Sequence, residues 1–140
     1  MKRILTIIFF LLAGIGNRTV AQHQSFTVST FKKVPDELMG CGDCYYLSEK
    51  DKKKTSFVCV TDYTFALVYI NNKSIRLKAN DKISHDKNEE IYTSGQYILI
   101  VKKGKMKQLD SEYYQFKGTI TIKSGSKVLY QQQIEGEGGC

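Results

Sequence analysis

The chain is short of the residues that most often interrupt or catalyse. It has one proline, Pro35, and two histidines, His23 and His85. A histidine site needs a second group to orient the ring. His23 precedes the first patterned segment and His85 sits in a polar stretch, so no shared catalytic or metal role is expected of them. Beyond the first two dozen residues no stretch repeats at 3.6 over a helical length, which excludes a helical bundle. Internal repeats and linker-like segments are absent as well, which excludes a solenoid and argues for one domain. Also missing is a run of the roughly 20 apolar residues that a membrane-crossing helix needs. The longest run, Ile4 to Ile15, is much shorter than that.

What that run does have is the flanks of a secretory signal. Lys2 and Arg3 precede it, and Thr19, Val20 and Ala21 close it with small residues. A signal peptide over 1–21 leaves 22–140 as a single domain, exported, and periplasmic or secreted. Loss of Lys2, Arg3 and Arg18 lowers the formal charge from +7 to +4. That is mild, and unlike the concentrated positive surface of a nucleic-acid binder, so no nucleic acid is expected as partner, and no membrane span after signal removal. The dense basic groups are Lys52, Lys53 and Lys54, and Lys102, Lys103, Lys105 and Lys107. They are expected as solvated loops and a charged strand edge, or as a patch for an acidic surface or anionic polysaccharide.

The four cysteines, Cys41, Cys44, Cys59 and Cys140, all follow the leader. An even set behind a signal reads as a disulfide framework, with three pairings open. Cys41-Gly42-Asp43-Cys44 also has the spacing of a thiol–disulfide enzyme, where one thiolate attacks and the other resolves. Such motifs open a helix after a strand, whereas the surroundings here alternate as strands, so structural bridges are the expectation. Four thiolates can hold zinc, but the second pair lacks the close spacing and export disfavours free thiols. No metal and no cofactor are expected.

Short alternating segments predict an all-β fold, a small antiparallel barrel or sandwich of about eight strands stabilised by disulfides. Phe26, Val28 and Phe31 begin the first strand, and Pro35 marks a turn or short helical excursion. The charged run Glu49 to Lys54 reads as a separator before Ser56 to Thr61. Thr64 to Ile70, Asn71-Asn72 and Lys73 to Ala79 form the clearest hairpin, because asparagine tolerates the positive φ of a primed turn. Asn80 to Glu90 is polar and reads as a long loop. Gln96 to Lys102 is apolar on both faces, Gly104 is expected to turn the chain, and Ser124-Gly125 turns it again. The glycine-rich tail, Gly136 to Cys140, is expected to fray unless something holds it, which a disulfide at Cys140 would do.

Other chemistry is sparse. Asp110, Ser111 and Glu112 are neighbours whose side chains point apart on a strand, so a turn is expected and not a triad. Glu89 and Glu90 with Asp86 lack the ligand spacing and central glycine of an EF-hand. The nine tyrosines are expected to bridge core and surface, or to offer a sugar- or protein-binding face.

Three stretches, Phe57-Val58-Cys59, Phe65 to Lys78 and Tyr92 to Lys102, resemble the MliC/PliC family of c-type lysozyme inhibitors. The resemblance spans about half of the chain after the leader. It implies an exported β-barrel with a disulfide from Cys59 to Cys140, and an inhibitory loop that reaches the carboxylates of the enzyme cleft. Laid on this chain, the loop's tyrosine is Tyr92, its lysine is Lys102, and its serine position holds Asn88. The family's tryptophan position is Ile100, and the glycine after the lysine is displaced to Gly104. The implied role is inhibition of a lysozyme-like glycosidase, with Asn88, Tyr92 and Lys102 as binding residues. More broadly, the lack of a visible nucleophile–base pair or metal cluster, and the loops that small barrels present, lead to the expectation of a non-enzymatic binding module. The alternatives are a periplasmic thiol–disulfide protein using Cys41 and Cys44, and a structural component of the cell envelope that binds glycan or another exported protein.

Overall fold

The computed structural model describes residues 25–81 and 88–139. The expected leader, His23, His85, Asp86 and Cys140 lie outside them. In chain order the elements are β1 (Val28–Ser29), β2 (Gly42–Tyr46), α1 (Glu49–Lys53), β3 (Cys59–Thr61), β4 (Phe65–Ile70), β5 (Lys73–Ala79), β6 (Glu89–Ser94), β7 (Tyr97–Gln108), β8 (Tyr113–Ser124) and β9 (Lys127–Gly139). A short 3-10 turn, Asp36–Leu38, follows Pro35, as the lone proline suggested.

All pairings are antiparallel. Strands β4-β3-β2-β9-β8-β7-β6-β5 are neighbours in that order, and β5 pairs back onto β4, closing an eight-stranded barrel. Closure removes the sheet edges that an open sheet of this size would leave unpaired. β1 lies outside this ring and continues the ladder along the end of β4, with Val28 opposite Ile70.

Alternation sorts the side chains into two cores. Ala66 and Val68 on β4, Leu99 and Val101 on β7, and Ile120 and Ile122 on β8 point inward and pack with Tyr45, Val58, Leu77 and Phe116. Each such aliphatic contributes about 1.5–3 kcal/mol by leaving water. A smaller core lies outside the wall. Phe31, Leu38 and Phe57 cover the outward residues Tyr46, Val60 and Leu67, and the Phe31 ring stacks on Tyr69 at 4.8 Å. The segment between β1 and β2 is thus a strap over β2, β3 and β4.

The Asn71-Asn72 hairpin forms as expected, with both residues at positive φ, 49° and 62°. Two other expectations are corrected. Glu49 to Lys54 is not a mere separator: Ser48 accepts a hydrogen bond from the Asp51 backbone N–H at 3.2 Å and donates to the Asp51 carboxylate, capping α1. Gly104 does not turn the chain. β7 runs on to Gln108 through a bulge, in which Gly104 and Lys105 together oppose Lys117 of β8. The tail has the holding partner it needed, since β9 pairs with β8 and β2 at once as far as Gly139.

Gly136 and Gly138 continue the inward parity of Ile134. A Cβ on Gly136 would overlap the Phe116 ring, and one on Gly138 would overlap Asp43 Oδ1. Glycine is needed in this strand because the wall must come close to two large inward groups.

Candidate functional site

One end of the barrel interior is filled by charge. Asp43 on β2, Glu90 on β6 and Lys103 on β7 each take the inward parity of their strands, next to Tyr45, Tyr92 and Val101 respectively. The Lys103 ammonium donates to both carboxylates, Asp43 Oδ2 and Glu90 Oε1. The Asp43 carboxylate is fully buried and the Lys103 side chain is only 9% exposed.

Tyrosines complete the shell. Tyr45 OH lies 3.1 Å from both Asp43 Oδ2 and Glu90 Oε2. Tyr92 OH donates to Glu90 Oε2 at 2.9 Å, and Tyr114 OH to Asp43 Oδ1 at 2.6 Å. Tyr63, held at φ 65° in the β3–β4 connection, reaches over the mouth to Tyr114 OH at 3.1 Å. The ammonium also faces the Phe116 ring at 5.3 Å. Thr61 Oγ1 is the single buried side-chain polar atom among the described residues without a hydrogen-bond partner.

This arrangement holds charge in place and does not release it. Burial alone would lower the Lys103 pKa, but Glu90 and Asp43 outweigh it and hold the ammonium above the usual lysine range. Burial, followed by the negative charge of Glu90, pushes the Tyr45 and Tyr92 hydroxyls up. At neutral pH the lysine is therefore an ion-pair partner, not a free-amine nucleophile.

A second cluster lies on the outer surface of the same wall. Glu137 of β9 accepts from Tyr46 OH at 2.9 Å and from Tyr113 OH, and pairs with Lys52 of α1 at 2.7 Å. Together the two clusters engage six of the nine tyrosines on three carboxylates.

The residues expected to bind a partner do not all converge. Tyr92 is 1% exposed and faces the barrel interior. Lys102 is on the outer face, its side chain 61% exposed and 3.5 Å from the Glu89 carboxylate. Asn88 shares with Lys102 an outward depression of about 350 Å³ floored by Gly104, Gly118 and Thr119. The parity of the β6–β7 hairpin explains the division: Tyr92 opposes inward Leu99, whereas Lys102 opposes outward Glu89.

Nor do the cysteines form the expected framework. Cys44 and Cys59 are free thiols. Cys59 is fully buried on the inward face of β3, so the bridge to Cys140 implied by the resemblance is not made. Burial, with Glu137 and Asp43 nearby, pushes the Cys44 thiol up to about 11, the opposite of what an attacking thiolate requires.

Asp110 makes the expected turn, its Oδ1 accepting from the backbone N–H of Glu112 at 2.9 Å and of Tyr113 at 2.7 Å. Glu90, expected in a loop, is instead a barrel-wall residue. Lys103, expected on a solvated edge, is the centre of the buried cluster. The signal for both was parity: Glu90 is two residues from Tyr92, and Lys103 two from Val101. No protein-family model, curated protein or solved structure matches this chain.

Proposed function

We propose that the protein is an exported, non-enzymatic binding module, and that its partner is a lysozyme-like glycosidase whose cleft carboxylates meet the outer face around Asn88 and Lys102. The observation that carries this reading is the exposed Lys102 ammonium beside Asn88, on a hairpin braced by a closed barrel. A cation carried on a rigid wall pairs with a carboxylate without a backbone-ordering cost, so only the lysine side chain itself has to be ordered. Its present partner, Glu89 at 3.5 Å, forms an exposed pair worth at most about 1 kcal/mol and is readily exchanged. Tyr92 serves this site from behind, by holding Glu90 and the hairpin.

Stability of the module is proposed to include a disulfide between Cys41 and Cys140. In sequence Cys41 directly precedes Gly42 and Cys140 directly follows Gly139, the pair with which the β2–β9 ladder ends. Directly opposed residues in an antiparallel pair fall within disulfide range. Cys41 does not count among the free thiols.

The test is titration of the purified protein against c-type lysozyme in a cell-wall lysis assay. Stoichiometric inhibition, weakened about tenfold in Lys102→Ala as expected for losing one charge-assisted contact, supports the reading. Equal inhibition by both forms sinks the site, and no inhibition at micromolar excess sinks the partner.

A further inference from the structure

We propose a second binding site, for an acidic oligosaccharide, in the cleft between α1 and the outward faces of β7, β8 and β9. The cleft is about 350 Å³, and its polar lining comprises chiefly Lys52, Lys105, Lys107, Gln115, Lys117 and Glu135. That volume lies at the lower end of small-ligand sites.

The β7 bulge creates the site. Before it, odd-numbered residues face inward: Leu99, Val101 and Lys103. After it, Met106 and Gln108 oppose the inward residues Phe116 and Tyr114, so Lys105 and Lys107 emerge outward. One extra residue thus divides a lysine run between two environments.

Charge balance selects the ligand. Lys52 is committed to Glu137 at 2.7 Å, and Lys117 approaches Glu135 at 3.7 Å. Among the described residues, no ion pair involves Lys105 or Lys107. Two residues apart on one strand face, they lie about 7 Å from each other, suited to successive charges along a chain. Gln115, Glu135 and Glu49 add acceptors for hydroxyl groups. The one aromatic residue lining the cleft, Phe116, is 4% exposed. A stacking platform for nucleic-acid bases is therefore missing, and a carboxylate-bearing sugar chain is the class that fits.

The test is calorimetric titration with hexagalacturonate, with neutral maltohexaose and a thymidine hexanucleotide as comparisons. Saturable binding of the uronate, weakened by salt and reduced at least about tenfold by Lys105→Gln with Lys107→Gln, is expected from the loss of two charge-assisted contacts. Lys102→Gln should leave it within about twofold, which separates this site from the one proposed for the glycosidase. The proposal is overturned by absent uronate binding, by equal affinity for maltohexaose or the hexanucleotide, or by an unchanged affinity in the double variant. Both lysines are exposed, so circular dichroism of the variant should match the parent.

Discussion

The wall made by β2 and β9 carries a lysine–carboxylate–tyrosine cluster on each face, and the two differ in what surrounds them. Inside, Lys103 meets Asp43 and Glu90, with an apolar core beneath and tyrosine hydroxyls around. Outside, Lys52 meets Glu137 with Tyr46 and Tyr113, and both charged side chains keep about a fifth of their surface in water. The same chemical groups are used, but Asp43 in the inner cluster is sealed from water, with Glu90, 25% exposed, at that cluster's open edge, whereas water reaches both charges of the outer pair. The inner cluster is thus a structural necessity, while the outer one adjusts stability and helps shape the cleft beside α1.

Removing each lysine should expose that difference most strongly. Lys103→Ala leaves the fully buried Asp43 carboxylate without its cation and is expected to cost about 3–5 kcal/mol, whereas Lys52→Ala should cost about 1 kcal/mol or less. Urea unfolding of the two variants measures both, and equal costs would break the comparison. Next in size is Gly138→Ala, whose Cβ must displace Asp43 and so is expected to cost about 1–3 kcal/mol by overpacking. A neutral result would mean that Asp43 can withdraw without loss. Similar in size is Tyr114→Phe, which should cost about 1–3 kcal/mol by leaving Asp43 short of a buried donor, and smallest is Tyr113→Phe, because water can reach Glu137.

The comparison can be sharpened by pH. Lys103 has its folded pKa raised above the usual 10.5, so its stabilisation is complete below that range and is lost as pH climbs through the raised value. Tyr45, Tyr92 and Tyr114, also raised, act in the same alkaline window, as do Tyr46 and Tyr113 on the outer face, so the acid limb is where the two clusters part. For Glu137, burial opposes ionisation but Lys52, Tyr113 and Tyr46 outweigh it, holding the group below 4.5. Its stabilisation is present above the ordinary carboxylate range and is lost as pH falls through the lowered value. Lys103→Met should flatten the alkaline limb of the stability curve and Glu137→Gln the acid limb. The reverse pattern would undo the assignment of the two clusters.

Period-two patterning made the barrel legible, and Asn71-Asn72 made its best hairpin legible, because both signals are local. The helix α1 was obscured by charge on every side of Glu49 to Lys54, although the Ser48 cap three residues before Asp51 was present. Lys103 was hidden inside a lysine run: composition reads as solvent, and only the parity of Leu99 and Val101 points it inward. In Ile134-Glu135-Gly136-Glu137-Gly138 the alternation continues with glycine in the apolar slots. A glycine-rich end therefore read as frayed, because the large groups opposite it come from distant segments. The cysteines were the least legible, since pairing depends on which strands become neighbours.

The closing position of β9 also has a consequence for the order of folding. Tyr46 and Glu137 lie 91 residues apart in sequence yet meet across β2 and β9. During synthesis, β2 pairs early with β3 but must wait for nearly the whole barrel to emerge before its second neighbour, β9, exists, and closing so long a loop slows folding. Until then Asp43 lacks Lys103, Glu90 and Tyr114, and the ring of strands stays open. A chain built this way leaves the ribosome with its ring unclosed, and completes its barrel only once residues near 139 have arrived.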